Sequence, residues 1–175
     1  MSTMQVSQNL MCKLKIAKVV VNIGVGKSGE PLEKAKSVLQ ELFGQTPSLR
    51  KAKQAIRDFG IHRGEPIGVM VTLRREKSLE ALKRLLKAKD MRLPSSSFDS
   101  RGNCSFGIRE HIEIPGVKYR PEVGLFGMSV SVALVRPGYR VMWRRRAKSK
   151  IGHSHRINKE EAMEFFKTEF NMEMS

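Results

Sequence analysis

Three glycines and a lysine–serine pair stand close together early in the chain, in an arrangement that could bind a phosphate. Gly24, Gly26 and Gly29 follow the spacing G-x-G-x-x-G, and Lys27 with Ser28 resembles the end of a phosphate-binding P-loop. Glycine-rich turns of this kind let backbone amides approach a pyrophosphate at the start of a helix. Nucleotide binding is therefore the first chemistry to consider.

The surrounding sequence argues against both nucleotide-binding motifs. A P-loop of the form G-x-x-x-x-G-K-S/T would need its first glycine where the chain has Val21. A dinucleotide-binding unit needs a second parallel strand that ends in an acidic residue about 20 positions further on. That region, GQTPSLRKAKQ, is basic and is broken by Pro47. Two interpretations remain open: a tight strand-to-helix turn, or bare backbone that approaches a phosphate of RNA.

The hydrophobic pattern predicts the elements that must position these residues. Strands are expected at 15–23, 67–74, 104–114 and 128–135, with a short strand and a long loop within 45–66. Helices are expected at 31–43, 76–88 and 159–171. This order, with one apolar face per strand, predicts an α+β fold: a mostly antiparallel sheet with helices packed on one face. The other face would carry small, polar and basic groups.

Particular residues define the ends and the buried faces of the predicted helices. Pro31 suits the first turn of the first helix, and Gly44 suits its end. Asn158 and Glu161 make a capping arrangement for the final helix. The apolar stripe expected on the helix at 76–88 consists of Leu79, Leu82, Leu85 and Leu86.

Charge is the strongest global signal in the composition. Lys and Arg total 33 against 17 Asp and Glu, which gives a formal net charge of +16. Such a charge favours a polyanionic partner, either nucleic acid or an anionic membrane. A membrane role is least favoured, because no helix combines a basic face with a broad apolar one beyond the needs of the core. No apolar run approaches the ~20 residues of a spanning helix either. The first residues also lack the apolar core of a signal peptide, so a cytoplasmic protein is expected.

No catalytic or metal-binding constellation is predicted. Cys12 and Cys104 are far apart and form no C-x-x-C motif, so two reduced thiols are expected. Glu110 and His111 are expected to project to opposite faces of a strand, which would prevent them from forming an acid–base pair. No serine stands in a G-x-S-x-G motif, and one H-x-H sequence is too little for a metal site. The sequence therefore indicates a binding protein without a cofactor or metal, and not an enzyme.

Four segments carry a resemblance to a known family: KVVVNIGVGKSGEPLEKAKSVLQELFGQTP, RKAKQAIRDFGIHRGEPIGVMVTLR, FDSRGNCSFGIREHI and RPGYRV. In this order they resemble the ribosomal protein L5 family in its archaeal and eukaryotic form, from about residue 10 to residue 171. The resemblance implies an α+β, 5S ribosomal RNA-binding domain at 14–138. A flexible N-terminal arm at 1–13 and a basic C-terminal extension with a terminal helix at 139–175 would flank it.

The resemblance also implies a set of partners. Members of the family bind 5S ribosomal RNA and anchor it to the large-subunit ribosomal RNA in the central protuberance. A long loop reaches toward the transfer RNA in the peptidyl site, and another surface bridges to a small-subunit protein. A neighbouring 5S-binding ribosomal protein is a further expected partner. The expected location is the large ribosomal subunit in the cytoplasm.

By the same resemblance, eight residues are expected to bind 5S ribosomal RNA: Asn22, Gly24, Gly26, Gln45, His62, Arg63, Thr72 and Arg74. The amides of Asn22 and Gln45 offer both a donor and an acceptor, as base edges and 2′-hydroxyls require. Alternatively, Asn22 could cap its turn, Gln45 could be a solvated loop residue and Thr72 a simple strand former. His62 stands where relatives often carry an arginine, and Arg63 beside it could supply the cation.

Two basic clusters complete the predicted RNA-contacting surface. The segment LRKAKQAIR resembles the family loop near the transfer RNA and contains Arg50, Lys51, Lys53 and Arg57. A basic segment without glycine suits contact with the RNA backbone without recognition of the bases, although the segment could also be a solvated loop.

The second cluster is expected to form a tail that binds ribosomal RNA; it contains Arg140, Trp143, Arg144, Arg145, Arg146, Lys148 and Lys150. Arginine suits bidentate phosphate contact, and the indole could stack on a base or anchor the tail to the core. Ordering of the tail on RNA binding is left open. Two rival interpretations of the whole chain remain: a nucleotide-dependent enzyme, which would bind a free nucleotide tightly, and a generic basic protein that binds RNA or DNA.

Overall fold

The fold is built on one antiparallel sheet, and its computed structural model describes residues 9–117 and 119–174. The strands are β1 (Lys15–Gly24), β2 (Ser48–Lys51), β3 (Pro66–Leu73), β4 (Arg92–Leu93), β5 (Cys104–Ile108), β6 (Met128–Val135) and β7 (Glu173–Met174). The helices are α1 (Glu30–Phe43), α2 (Glu76–Lys87), α3 (Arg140–Trp143) and α4 (Lys159–Phe170). Most of the predicted arm at 1–13 lies outside the described residues.

The main sheet has five strands in the order β2-β3-β1-β6-β5, and every neighbouring pair is antiparallel. The long strand β1 lies at the centre, where it pairs with β3 on one side and β6 on the other. A separate parallel pair joins β4 to β7 near the C-terminus. The predicted α+β class with a mostly antiparallel sheet is confirmed.

One face of the sheet forms the core, because alternate residues of each strand point to the same side. In β1 these are Val19, Val21 and Ile23, each at most 1% exposed. They pack with the apolar stripes of α1, α2 and α4 in a single hydrophobic cluster. Phe166 of α4 is fully buried, and its ring meets that of Phe98 edge-on at 5.3 Å. The final helix therefore belongs to the same core as the sheet.

The predicted helix ends are confirmed. Pro31 lies in the first turn of α1, and Gly44 follows its last residue with φ of 60°. The amide of Gly44 donates to the carbonyl of Gln40 at 2.8 Å, which closes the helix. At the start of α4, the backbone amide of Asn158 donates to the carboxylate of Glu161 at 3.1 Å, as in a capping box.

The predicted stripe of α2 is wrong at one position. Leu82, Leu85 and Leu86 are buried as expected, but Leu79 is 43% exposed. The helix buries Ser78 and Ala81 in addition to these leucines, so the centre of its inner face lies on the side of Ser78. Leu79 is rotated away from that centre, toward solvent.

The strand predicted at 104–114 is also wrong beyond Ile108. Ile108 pairs with Met128, the first residue of β6, so no partner strand remains for the residues that follow. The chain turns into a short 3₁₀ helix at His111–Glu113 instead. His111 is buried and accepts a hydrogen bond from the amide of Phe126 at 3.3 Å, and burial lowers its pKa. Glu110 and His111 therefore do not lie on opposite faces of a strand.

Within the described residues, no helix is both long enough and apolar enough to cross a membrane. The same residues contain no group of three or more metal-ligating side chains that could hold an ion.

Candidate nucleic-acid interface

The side of the sheet opposite the core forms a continuous surface, which we call the open face. The strand registers place its residues in rows that cross the sheet. One row runs from Ser48 through Met70, Asn22 and Ser129 to Gly107, and the next runs from Thr72 through Val20 and Ser131 to Ser105. Arg50, Gly68 and Gly24 begin a third row, and Lys18 and Ala133 belong to a fourth. Most of these side chains are small.

The electrostatic character of the open face is neutral to basic. The structure describes the five strands of the sheet in full, and none of their residues is acidic. Arg50 lies toward one end of the face, where its guanidinium contacts the sulfur of Met70 at 3.4 Å. Lys18 lies toward the other end, and the exposed Arg74 follows β3 there. A polyanion could therefore lie across the face without meeting a carboxylate.

Gly24 is a glycine on this face that the fold itself does not require. A methyl group at this position would meet no atom within 4 Å, and the backbone is not in the left-handed region. Gly68 beside it differs, because a methyl group there would approach the carbonyl of Ile23 to 3.0 Å. Neither backbone strain nor packing against the described residues therefore accounts for a glycine at position 24.

Two of the predicted 5S-binding residues lie on the open face. Asn22 lies between Met70 and Ser129, and Thr72 lies opposite Val20 on the neighbouring strand. The only hydrogen bond of Asn22 outside the strand ladders involves its carbonyl, which accepts from the Ser129 hydroxyl at 3.4 Å; its side-chain amide bonds to none of the described residues. The alternative that this amide caps the turn therefore receives no support.

The glycine-rich turn is held by β3 rather than prepared for a nucleotide. The amides of Val25 and Gly26 both donate to the carbonyl of Ile67, at 3.0 and 2.9 Å. These amides are the groups that a P-loop would direct at a phosphate. Glu30 also places a carboxylate in the first turn of α1, where it would repel a phosphate. The geometry supports the tight-turn interpretation of the motif.

A second turn is fastened to the glycine-rich turn through Glu65. Its carboxylate accepts from the amide of His62 at 3.0 Å and from the hydroxyl of Ser28. These two hydrogen bonds lower the pKa of Glu65. These contacts bring Gly26, His62 and the neighbouring Arg63 to the end of the sheet where β1 finishes.

The last two predicted 5S-binding residues lie elsewhere. Gln45 is half-buried in the connection between α1 and β2, and Arg74 lies at the end of the sheet opposite to Gly26.

The predicted basic loop is partly strand. Arg50 and Lys51 lie in β2, since this edge strand pairs with β3 as far as Pro66, whereas Lys53 and Arg57 lie beyond it. The following residues, 52–65, form what we call the basic hairpin. The carbonyl of Ala52 accepts from the amide of Gly64, and two hydrogen bonds join Ile56 to Ile61 at 2.9 and 3.0 Å.

The tip of the basic hairpin presents an aromatic ring that sequence reasoning missed. Phe59 is 72% exposed, and Ile56 below it is 42% exposed. In the chain the ring follows Arg57 and Asp58 and precedes His62 and Arg63, so a flat apolar surface lies at the tip of a segment in which cations outnumber carboxylates. A single aromatic residue in an otherwise polar and basic segment was the available signal. Such a ring can stack on a nucleic-acid base.

The C-terminal cations form a second exposed basic surface. The structure places Trp143 at the end of α3 with 59% exposure, while Arg144 to Lys150 are all exposed. Among the described residues, no ion pair engages a cation of the segment 140–150. The anchor of this segment is Tyr139, whose hydroxyl accepts from the amide of Ile157 at 3.0 Å. The ring of Trp143 meets that of Tyr139 edge-on at 6.4 Å and still leaves the residue 59% exposed, so Trp143 both contacts the anchor and presents a surface for an external contact.

An acid-free sheet face flanked by exposed cations is typical of the nucleic-acid-binding class of proteins. Comparison with known proteins identifies the family. Residues 9–62 match the model described as "ribosomal protein L5", and residues 66–165 match the model that describes the C-terminus of the same family. The chain belongs to the ribosomal protein L5 family.

Individual relatives agree over nearly the whole chain. The large ribosomal subunit protein uL5 of Sulfolobus acidocaldarius is 53% identical over 94% of this chain and 93% of its own length. That of Pyrobaculum aerophilum is 58% identical over 89% of this chain and 87% of its own length. That of Nitrosopumilus maritimus is 47% identical over 96% and 97%. The family consists of cytoplasmic large-subunit ribosomal proteins that are not enzymes, as the sequence indicated.

Proposed function

We propose that this protein binds 5S ribosomal RNA on its open face and anchors it to the large-subunit ribosomal RNA in the central protuberance. The observation that carries the proposal is the open face itself, which lacks acidic residues and ends in cations on both sides. The net charge of +16 supplies a general attraction for RNA. The family resemblance supplies the identity of the RNA.

The chemistry of the open face suits an RNA backbone with some recognition of the sugar and base edges. The amide of Asn22 and the hydroxyl of Thr72 both donate and accept, so each can bind a 2′-hydroxyl. The guanidiniums of Arg50 and Arg74 are suited to phosphates. Gly24 leaves β1 bare in the row that contains Arg50, so the RNA backbone can approach the sheet closely there.

The remaining surfaces are assigned to further partners in the same proposal. The basic hairpin would contact the transfer RNA in the peptidyl site, because its exposed tip combines cations with Phe59. The segment 140–150 would bind large-subunit ribosomal RNA through its unpaired cations and Trp143. The bridge to a small-subunit protein and the contact with a neighbouring 5S-binding protein are inferred from the resemblance alone.

Titration of the purified protein against 5S ribosomal RNA and a length-matched control RNA, at several salt concentrations, tests the proposal. We expect a strong preference for 5S ribosomal RNA and an affinity that falls as salt rises. The slope of log K against log salt, about −0.7 to −0.9 per phosphate neutralised, then counts the phosphate contacts. Equal affinity for both RNAs, or for duplex DNA, would favour the alternative of a generic basic RNA- or DNA-binding protein.

Replacing Asn22, Thr72 or Gln45 singly by alanine is expected to weaken specific 5S binding by about tenfold, since each loses a hydrogen bond of ~1.4 kcal/mol. The fold should be unaffected, because none of the three side chains belongs to the hydrophobic core. Filter binding with both RNAs measures the effect. Unchanged affinity for 5S ribosomal RNA in all three variants would move the contact surface elsewhere.

Replacing Phe59 by alanine is expected to weaken binding of transfer RNA in the peptidyl site of reconstituted subunits by about tenfold. The reason is the loss of one base–aromatic contact, worth roughly 1–3 kcal/mol. Binding of 5S ribosomal RNA should change less than about twofold, because the tip lies outside the sheet. Phe59→Tyr keeps the ring and serves as the control. A loss of 5S affinity in Phe59→Ala would contradict the division between the two surfaces.

A further inference from the structure

A cavity of about 90 Å³ lies on the helical side of the molecule, between the end of α1, the helix α2 and the segment 111–123. Several of its walls are apolar, among them Val38, Leu42 and Val117. The polar groups that line it are the side chains of Glu41, Arg84, His111 and Arg120. A single water needs about 10–15 Å³ of such volume, so the cavity has room for a larger guest.

Arg84 makes one side-chain hydrogen bond among the described residues. Its Nη2 atom donates to the carbonyl of Leu42 at 3.2 Å, in the last turn of α1. That turn contains no basic residue of its own, so Arg84 supplies the cation that the end of the helix favours. The Nε atom of Arg84 is buried and has no hydrogen-bond partner among the described residues. Nε is therefore sealed from the cavity, and the terminal nitrogens of the guanidinium are the atoms of its charged group that can meet a guest there.

The charges around the cavity leave an excess of one positive charge. Arg120 and Glu41 neutralise one another at the rim, where an Nη2–Oε1 distance of 2.9 Å joins two exposed side chains. His111 accepts the Phe126 amide at Nδ1, so its proton lies on Nε2. Burial lowers the pKa of this ring and so disfavours its charged form. Arg84 therefore provides the unbalanced charge, and the His111 Nε2–H provides a second donor.

We propose that this cavity binds a carboxylate, which pairs with Arg84 while the apolar walls receive the attached alkyl chain. A carboxylate suits a guanidinium, and a short alkyl chain explains walls that are partly apolar. A phosphate of the RNA on the open face cannot reach the cavity, because the sheet and the helices lie between them. The carboxylate could belong to a small free acid or to an acidic side chain of a neighbouring protein, and both present the same chemistry.

The test follows the Arg84 Nε–H resonance of the full-length, ¹⁵N-labelled protein by NMR. Sodium butyrate is titrated against sodium chloride at constant ionic strength. We expect a saturable shift with butyrate and none with chloride. No shift with butyrate, or the same shift with both salts, would overturn the proposal without the need for any variant.

Three variants locate the interaction, with the backbone amide of Val117 as the reporter. Arg84→Lys keeps the charge but loses the planar guanidinium that can bind a carboxylate with two hydrogen bonds, and should bind butyrate at least tenfold more weakly. Glu41→Gln removes the carboxylate that lines the cavity, and should bind about threefold more tightly or better. Lys83→Met, at an exposed position of the same helix, should stay within about twofold of the wild type. If Lys83→Met and Arg84→Lys weaken the binding of butyrate equally, the effect is a general electrostatic attraction and the proposed site is refuted.

A capped peptide that contains glutamate distinguishes the two sources of the carboxylate. Tighter binding of the peptide than of butyrate would support a protein side chain as the guest. Tighter binding of butyrate would support a small free acid. If neither competes with the other at the Val117 amide, they do not share this site and the assignment fails.

Discussion

Placing one carboxylate at the centre of the open face, as Ser131→Glu, is expected to reduce the affinity for 5S ribosomal RNA by about 100-fold. Ser131 is exposed and lies between Val20 on β1 and Ser105 on β5. Like charges brought together at an interface cost several kcal/mol, and the proposed interface otherwise contains no acidic strand residue. The fold should be preserved, because the side chain points away from the core. Filter binding at fixed salt measures the change.

Two controls separate the position of the new charge from its other effects. Ser131→Gln adds nearly the same volume without charge, so the difference between it and Ser131→Glu isolates the electrostatic part. Gln40→Glu makes the same change in net charge at an exposed position of α1, on the helical side of the sheet. We expect Gln40→Glu to stay within about threefold of the wild type. If it weakens binding as much as Ser131→Glu does, the open face does not contact the RNA.

The central strands could be predicted from the sequence because their alternation is complete. β1, β3 and β6 begin and end within about one residue of the predicted bounds, since each pairs with a strand on both sides and has one fully apolar face. The predicted strand beyond Ile108 was wrong for a related reason. Apolar and polar residues continue to alternate in the sequence beyond Ile108. However, Ile108 pairs with the first residue of β6, so β6 has no further residue with which the chain could pair. The hydrophobic pattern of one strand gives no information about the length of the strand with which it pairs.

The candidate interface was only partly accessible to sequence reasoning. The positions of Asn22 and Thr72 on a polar face follow from period-two alternation. The placement of Arg50 on the open face depends instead on the pairing of a four-residue edge strand whose residues are all exposed. Such a strand has no hydrophobic pattern to reveal it. The same limit applies to Phe59, whose exposure depends on a hairpin closed by backbone hydrogen bonds.

Arg136 was not predictable at all, because its partners are distant in the sequence. Its side chain is only 8% exposed and pairs with Glu161 at an Nη2–Oε1 distance of 2.9 Å. It also donates to the carbonyls of Cys12, at 3.2 Å, and of Arg156, at 3.3 Å. A single buried cation therefore holds the N-terminal segment, the segment before α4 and α4 itself against the end of β6.

Arg136→Met is accordingly expected to lower the free energy of unfolding by about 3 kcal/mol. Methionine can fill much of the space, but the carbonyls of Cys12 and Arg156 lose their donor and Glu161 loses its cation. Removing one member of a buried pair costs roughly 3–5 kcal/mol. The lower end of this energy range applies because the Glu161 side chain is 38% exposed and stays partly solvated. Urea denaturation followed by circular dichroism measures the change.

Two comparisons give the Arg136 prediction its specificity. Arg140→Met, at an exposed position one turn further on, should change the free energy of unfolding by less than about 0.5 kcal/mol. In a Glu161→Gln background, Arg136→Met should cost about 1 kcal/mol less than it does alone, since coupled residues are not additive. Equal losses in Arg136→Met and Arg140→Met would mean that the buried cation does not hold the three segments together. The docking of α4 would then depend on Phe166 and its apolar neighbours alone.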